Sequence, residues 1–278
     1  MASVITLTTD FGVRDPYVAE MKAVILSLNP AACLIDVSHE VAAHDVVEGG
    51  LAVHAMVALC PEGTIHVAVV DPGVGTRRRG LLVVASGQFF VGPDNGIFTP
   101  LLSRADWKAF ELRAAPYRRP HVSATFHGRD VFAPAAAHLA LGVAPARFGP
   151  AVRDPVRVAL VGTRQVGPGV EGRVIHVDRF GNLVTSIDAE TVERLSRGTP
   201  VLTVEIAGRR MPLVRTYGDL AARGAGALMG AHGRLEIAVR EGSAAARLRA
   251  RRGTPVRLSR STTSRAPGTS RAPARKRS

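Results

Sequence analysis

Apolar and polar positions follow two different rhythms along the chain. In the first half, short apolar runs alternate with longer stretches of helical spacing. Ser3 to Leu7 reads as a buried strand, and the polar TTDFGVRDPY after it as a loop. A helix is predicted from about Tyr17 to Leu28, with Val18, Met21, Val24, Ile25 and Leu28 on one face and Asn29-Pro30 as its stop. Cys33 to Val37 is the next strand and Ser38-His39-Glu40 the next loop. A second helix runs from about Val46 to Leu59, with Asp45 placed to cap it, and Ile65 to Val70 opens a third strand. This order predicts a mostly parallel sheet flanked by helices, with ligand loops at the carboxyl ends of the strands. On that geometry Asp10, His39 and Asp71 gather on one rim.

The second rhythm begins after an irregular, turn-rich stretch. Arg153 to Gly169 reads as a linker. Beyond it come short β runs: Arg173 to Val177, Leu183 to Ile187, Val201 to Ile206, Met211 to Val214, Leu235 to Val239 and Pro255 to Leu258. Such spacing predicts a smaller antiparallel β-barrel-like or sandwich domain. The organisation expected is an α/β domain over 1–152, a linker over 153–169, a β domain over 170–258 and a disordered basic tail over 259–278.

Candidate chemistry sits where the strands break. Between Thr64 and Pro100, apolar strands are interrupted by two Gly/Pro loops, Asp71-Pro72-Gly73 and Gly92-Pro93-Asp94-Asn95-Gly96, with Arg77, Arg78 and Arg79 between them and a hairpin at Ser86-Gly87. Either loop alone is an ordinary turn; two carboxylate-bearing loops around an arginine run favour a site. Further on, SATFHGRD places His127, Arg129 and Asp130 ahead of an apolar helix that Gly142 stops. Asp130 can cap that helix and Arg129 can pair with a carboxylate, whereas His127, beside a glycine that admits a ligand, points to function. Neither a G-x-G-x-x-G fingerprint nor a Walker lysine motif occurs, so phosphate cradling is poorly supported. A carboxylate accepts two hydrogen bonds, which makes Asp10 the candidate for gripping a ribose diol. In HVDRFGNLVTSI, Asp178, Phe180 and Asn182 offer an aromatic face and amide hydrogen bonds for a planar heterocycle or an amino-acid head group.

Composition narrows the class. The chain has 278 residues and is 46% hydrophobic, which suits a globular protein with a sizeable core. The net charge of +13 invites a nucleic-acid reading, but residues 258–278 alone carry Arg260, Arg265, Arg271, Arg275, Lys276 and Arg277 and no acid, so specific nucleic-acid binding is not expected. Cys33 and Cys60 fit no metal spacing and read as reduced core residues. No apolar window reaches membrane-span length and MASVITLTTD lacks the features of a secretory signal, so no membrane association is expected and a cytoplasmic location is. A metal hydrolase built from His39, His44 and Asp71 has no recognised ligand spacing.

The segments LTTDFG, IDVSHEVAAHDVVEG, CPEGTIHVAVVDPGVGTRRR, FVGPDNGIFTPLL, TFHGRDVFAPAAAHLA, VDRFGNLVTSI and HGRLEIAVREGSAA, in this order from Ile5 to about Arg257, resemble the S-adenosyl-L-methionine hydroxide adenosyltransferases. These are adenosine-forming hydrolases related to the fluorinases and chlorinases that use the same substrate. The resemblance implies attack of an activated water on ribose C5′, giving adenosine and L-methionine, with S-adenosyl-L-methionine as substrate and no cofactor or metal. It implies Asp71, Arg78 and His127 as the water-activating set, Arg78 being chosen among three arginines by its alignment with the family motif. In that division Asp71 and His127 hold and deprotonate the water while Arg78 stabilises hydroxide. It further implies Asp10 at the ribose, Asp178 and Asn182 at the methionine end and the adenine, Phe126 and Phe180 as pocket walls, and a homotrimer with inter-subunit active sites. A halogenase of this family would replace the aspartate and histidine; a basic nucleic-acid-associated protein would not need them. One departure stands out: where relatives often carry Asn-Ser, this chain reads Gly230-Ala231-His232-Gly233, so a hydroxyl that helps hold the methionine carboxylate is missing.

Overall fold

The computed structural model describes residues 3–103, 106–197 and 201–260. The chain divides into two compact units at Leu160/Val161.

The first unit is built from β1 (Val4–Thr9), α1 (Tyr17–Leu28), β2 (Cys33–Ser38), α2 (Val46–Met56), β3 (Ile65–Val69), β4 (Gly80–Ala85), β5 (Gln88–Pro93), β6 (Lys108–Glu111) and α3 (Ala133–Ala140). The strands form one sheet in the order β2-β1-β3-β5-β4-β6. β2, β1, β3 and β5 are parallel, while β4 runs antiparallel to both of its neighbours. The change of direction comes from the tight β4–β5 hairpin, whose turn residues Ser86 and Gly87 both have positive φ.

Period-two alternation explains why β3 is apolar at every position but His66, whose ring is buried between Thr6 and Gln88. Ile65, Val67 and Val69 face the layer of α1 and α3, with Met21, Ile25 and Ala136. Ala68 and Val70 join the opposite layer with Val53 of α2, Phe90 and Phe98. With His66 consumed inside the sheet, the carboxyl-terminal loop is where such a strand can present polar groups to a ligand. Asp45 caps α2 by accepting from the Glu48 amide at 3.0 Å, as the sequence predicts.

The second unit contains β7 (Arg164–Val166), β8 (Gly169–Val177), β9 (Leu183–Asp188), α4 (Ala189–Ser196), β10 (Leu202–Ile206), β11 (Arg209–Pro212), β12 (Ala225–Met229), β13 (Arg234–Val239), α5 (Ala244–Leu248) and β14 (Pro255–Arg260). Its strands pair antiparallel in the order β11-β10-β14-β8-β9-β13-β12, with β7 added beside β8. A bridge from Leu213 to Ala227 brings the two ends of this order together, so the sheet is a nearly closed barrel. Val174, Leu183, Ile187, Val204, Leu235, Ile237 and Val256 fill it.

Three expectations need correction. The 153–169 stretch is not a free linker: the Val156 amide donates to Asp94 and the Val158 amide to Thr99, while 164–166 is strand β7. Ser259 and Arg260 belong to β14, because they pair with Thr203 and Leu202 of β10, and the rest of the basic tail lies outside the described residues. Neither cysteine is a core residue. Cys33 is exposed because β2 is the edge of its sheet, and Cys60 is half-buried. Among the described residues no helix is long and apolar enough to cross a membrane.

Candidate active site

Past the end of β3 the chain turns twice in quick succession. Asp71 O accepts from the Val74 amide, and Gly73 O accepts from both the amide and the hydroxyl of Thr76. These turns fold the loop back so that Arg78 reaches Asp71. Arg78 Nε donates to Asp71 Oδ1 at 2.9 Å and Nη2 donates to Oδ2, a side-on bidentate pair with both side chains almost wholly buried. The guanidinium also lies 5.3 Å from the Phe132 ring centroid. Gly75 sets the position of this loop. Its φ is +79°, and a β-carbon there would stand 2.5 Å from Ala124 O, in the loop that leads to His127.

His127 opens a single π turn, Gly128–Phe132, which runs straight into α3. Such widened turns recur at functional sites because they rotate side chains out of helical register. Asp130 within the turn is fully buried and is not a helix cap. It accepts from the Ser123 amide, Arg119 and two nitrogens of Arg129, so it fastens the 119–127 loop to the helix. Arg129 continues to Glu20 of α1 at 2.8 Å. Gly128 does not open a path for a ligand either; its Cα packs against Met21 and the Phe126 ring.

The two loops meet at Arg78. Its Nη2 is 2.8 Å from His127 Nδ1. A guanidinium has no acceptor, so Nδ1 must be the acceptor and the imidazole is the neutral Nε2–H tautomer. Burial first, and the charge of Arg78 second, hold His127 below its ordinary value of 6.5, against an opposite pull from Asp71. Asp71, Arg78 and His127 therefore form one connected relay at the carboxyl end of β3.

Of the rim predicted with Asp71, His39 is structural. It is buried, with Nδ1 2.9 Å from Thr9 Oγ1 and Nε2 2.9 Å from Asp36, and so ties the ends of β1 and β2 together. Asp10 is partly exposed, and one oxygen accepts from the His44 amide. Phe126 stands in a cluster of edge-on rings with Phe11 and Tyr17. The second Gly/Pro loop is architectural: Asp94 is consumed by Arg79 and the Val156 amide, and Arg79 goes on to Asp154. Among the described residues no group of three or more His, Cys, Asp or Glu is arranged to hold a metal ion.

On the second unit Asp178, Phe180 and Asn182 line a cleft of about 920 Å³. Asp178 Oδ1 accepts from the amides of Phe180 and Asn182, and Oδ2 from the Asn182 side chain, which holds the loop as a tight Asx-type turn. This turn presents the Phe180 ring, which is 77% exposed, at the cleft mouth. Two further lining residues escaped the sequence reading. Tyr217 donates to Glu236 Oε2 at 3.0 Å, and burial together with the charge of Glu236 pushes the phenol up to about 12. The available signal was a carboxylate inside the apolar run LEIAV.

A mixed α/β unit with a carboxylate–guanidinium–imidazole relay past a parallel strand, joined in the same chain to a β-barrel unit with a polar cleft, defines the class. The chain belongs to the SAM hydroxide adenosyltransferase family, matching its N-terminal domain over residues 5–149 and its C-terminal domain over residues 172–257. It is 42% identical to the (R)-S-adenosyl-L-methionine hydrolase of Thermus thermophilus, over 90% of this chain and 97% of that protein. A fluorinase of an Actinoplanes species is more distant, at 27% identity over 78% of this chain and 83% of that one. The crystal structure of an uncharacterized conserved protein from Thermotoga maritima superposes with a TM-score of 0.87 at 31% identity, covering 92% of this chain and all of that one.

Proposed function

We propose that this protein is a hydrolase that converts S-adenosyl-L-methionine to adenosine and L-methionine by attack of water or hydroxide on ribose C5′. The observation that carries the reading is the Arg78 bridge between Asp71 and His127, in a chain that is 42% identical, over 90% of its length, to a protein named as an S-adenosyl-L-methionine hydrolase. The sulfonium leaves as a neutral thioether, so the leaving group needs no acid. The demand falls on the nucleophile, which must be oriented and stripped of a proton near neutral pH.

The relay suits that demand with one revision to the roles. His127 Nδ1 is occupied by Arg78, so His127 holds the nucleophile through its Nε2–H rather than deprotonating it. Asp71 keeps unused lone pairs to accept from the water, and the fixed charge of Arg78 favours the hydroxide form. In this reading Asp10 takes the ribose hydroxyls, Phe126 and Phe180 flank the nucleoside, and Asp178 and Asn182 shape the loop that meets the rest of the substrate. The reaction needs neither metal nor cofactor, because no redox step or anionic leaving group has to be stabilised. A homotrimer and a cytoplasmic location belong to the same reading; mass measurement at assay concentration tests the first.

Incubation with S-adenosyl-L-methionine in oxygen-18 water provides the decisive test. One label in the 5′-oxygen of adenosine is expected. Unlabelled adenosine, or a 5′-halogenated nucleoside on addition of halide, would overturn the assignment.

A further inference from the structure

Arg118 has no part in the reading above, yet it is tied to the relay from two sides. It follows the short 3₁₀ turn Ala115–Tyr117, and its Nη2 donates to Leu112 O just past β6. The Leu112 amide in turn donates at 2.9 Å to Gly80 O, two residues after Arg78. A β-carbon on Gly80 would meet the Phe132 ring at 3.2 Å and Leu112 at 3.4 Å, and the Arg78 guanidinium lies over that same ring. On the other side the Arg119 amide donates at 2.9 Å to Asp130 O, inside the π turn that His127 opens. Residue 118 is thus pinned between the start of β4, which follows Arg78, and the turn that carries His127.

This guanidinium is expensive to keep. Arg118 is half-buried, and among the described residues its Nε is buried with no hydrogen-bond partner. No carboxylate of those residues forms an ion pair with it. Glu111 is near enough to be felt but pairs with Arg113 at 3.8 Å, and Asp130 is taken up by Arg119 and Arg129. Its outer side lines a groove with Arg119 and His138, where no acid stands among the described residues. A buried charge without a counter-charge destabilises a fold, so bracing Leu112 is a task that an uncharged side chain would do as well. The charge itself is what sets this residue apart. The charged groups that bear on His127 are Arg78 and Asp71 from the loop after β3, Asp130 from its own turn, and Arg118. Asp71 is locked to Arg78 and Asp130 to two arginines, which leaves Arg118 as the cation with no acid of its own. A guanidinium stays charged at any pH the protein survives, so its influence is fixed.

We propose that Arg118 is a positioning residue of this site: a second fixed cation, acting through His127 rather than on the substrate, that holds the imidazole in the form Arg78 requires and so sets how far toward acid pH the enzyme works. The proposal rests on the hydrolase reading for the reaction it serves, but not for the coupling between the two side chains.

The test sets Arg118→Met and Arg118→Gln, which remove the charge, against Arg118→Lys, which keeps it. Imidazole NMR reads His127 directly in each. Taking a cation away favours imidazolium, so without the charge the His127 titration should move upward by roughly 0.3 to 1 pH unit, the effect of one charge across several ångströms of protein. The acid limb of kcat/KM for S-adenosyl-L-methionine should move up with it, while the alkaline plateau stays within about threefold of wild type. Arg118→Lys should leave both close to their wild-type positions. A side chain that only braces Leu112 gives a different pattern: all three variants lower the melting temperature and none moves the titration. That pattern would overturn the proposal, and so would a lysine variant whose titration moves as far as that of methionine. Wild-type protein that releases no adenosine would sink the hydrolase reading alone. The NMR titration then still decides the coupling, since it needs no turnover: an upward move on loss of the charge supports it, and no move overturns it.

Discussion

Arg78 donates from Nη2 to His127 Nδ1 across 2.8 Å while its other nitrogens grip Asp71, which fixes both the tautomer and the charge of the imidazole. Protonating His127 would place a hydrogen on Nδ1 and expel the guanidinium. The folded value of His127 is depressed, so the unfolded chain takes up its proton first. The stability contributed by this group is complete above the ordinary value of 6.5 and is lost as pH falls toward the folded value. Turnover should fall over the same window. Imidazole NMR should show His127 titrating below 6.5 in wild type. In Arg78→Met the titration should move upward, because the cation is gone and Asp71 remains; no movement would contradict the relay.

The bidentate grip itself is a second handle. Lysine carries the charge of Arg78 but cannot span both Asp71 oxygens and reach His127. Arg78→Lys should lower kcat by about 10²-fold or more with little change in KM. Asp71→Ala should leave a nearly buried guanidinium unpaired and cost about 3–5 kcal/mol, read from urea denaturation. A lysine variant within threefold of wild-type kcat would show that the charge alone suffices.

Residues that advertise themselves in the sequence are those whose local pattern and final role coincide. The β3 run and the Asp71-Pro72-Gly73 break were legible because a strand buried on both faces is apolar at every position but His66, and the polar turn residues begin only past its end. The α4 helix was not read, since AETVERLS is short and its apolar positions, Val192 and Leu195, are few. Strand β12, AGALM, hides behind alanine and glycine, and its place in the barrel comes from pairing with β13. Distance in sequence concealed the rest. Nothing local says that Arg79 reaches Asp154 or that the two carboxylate loops differ in purpose, one holding the relay and the other consumed in packing. Glu236 stayed silent because its setting depends on the bare Cα of Gly230, in the turn of its own hairpin.

Gly75 and Gly63 share nearly the same backbone angle, φ +79° and +78°, but only Gly75 has a neighbour within reach. Alanine at Gly63 should cost only the left-handed strain, about 1 kcal/mol. Alanine at Gly75 adds the clash with Ala124 O and should cost clearly more in a thermal melt. It also separates the loop of Arg78 from the loop of His127, so kcat should fall about 10-fold or more where Gly63→Ala leaves it unchanged. Equal effects from the two substitutions would count against the loop contact.

Asp130 is one of the carboxylates that make the first unit sensitive to acid. Burial alone would raise its carboxyl, but Arg129, the Ser123 amide and Arg119 outweigh it and hold the group below 3.8. A depressed folded value means the stability is present above the unfolded value and is lost as pH falls through the folded one. Asp130→Asn should flatten the steep loss of melting temperature below pH 4 and lower stability at pH 7 by about 3 kcal/mol. The same acid slope in variant and wild type would assign acid unfolding to another group.

Neighbouring positions in the 230–233 turn should respond in opposite ways. The Gly230 amide donates to Arg234 O and the Gly233 amide to Gly230 O, so the turn is tightly held and its side chains are aimed by the backbone. Ala231 is exposed and lines the cleft. Ala231→Ser supplies the hydroxyl that the relatives' Asn-Ser pattern carries and should lower KM for S-adenosyl-L-methionine by about 2- to 10-fold, the range of one net hydrogen bond. Gly230→Asn, one residue earlier, should do the reverse. Its β-carbon would occupy the space of Glu236 Oε1, so the carboxylate must leave the cleft and KM should rise about 10-fold or more. Steady-state kinetics on the two single variants and the pair separates these effects. A Gly230→Asn variant that binds as well as wild type would mean the carboxylate has no need of the place the glycine gives it.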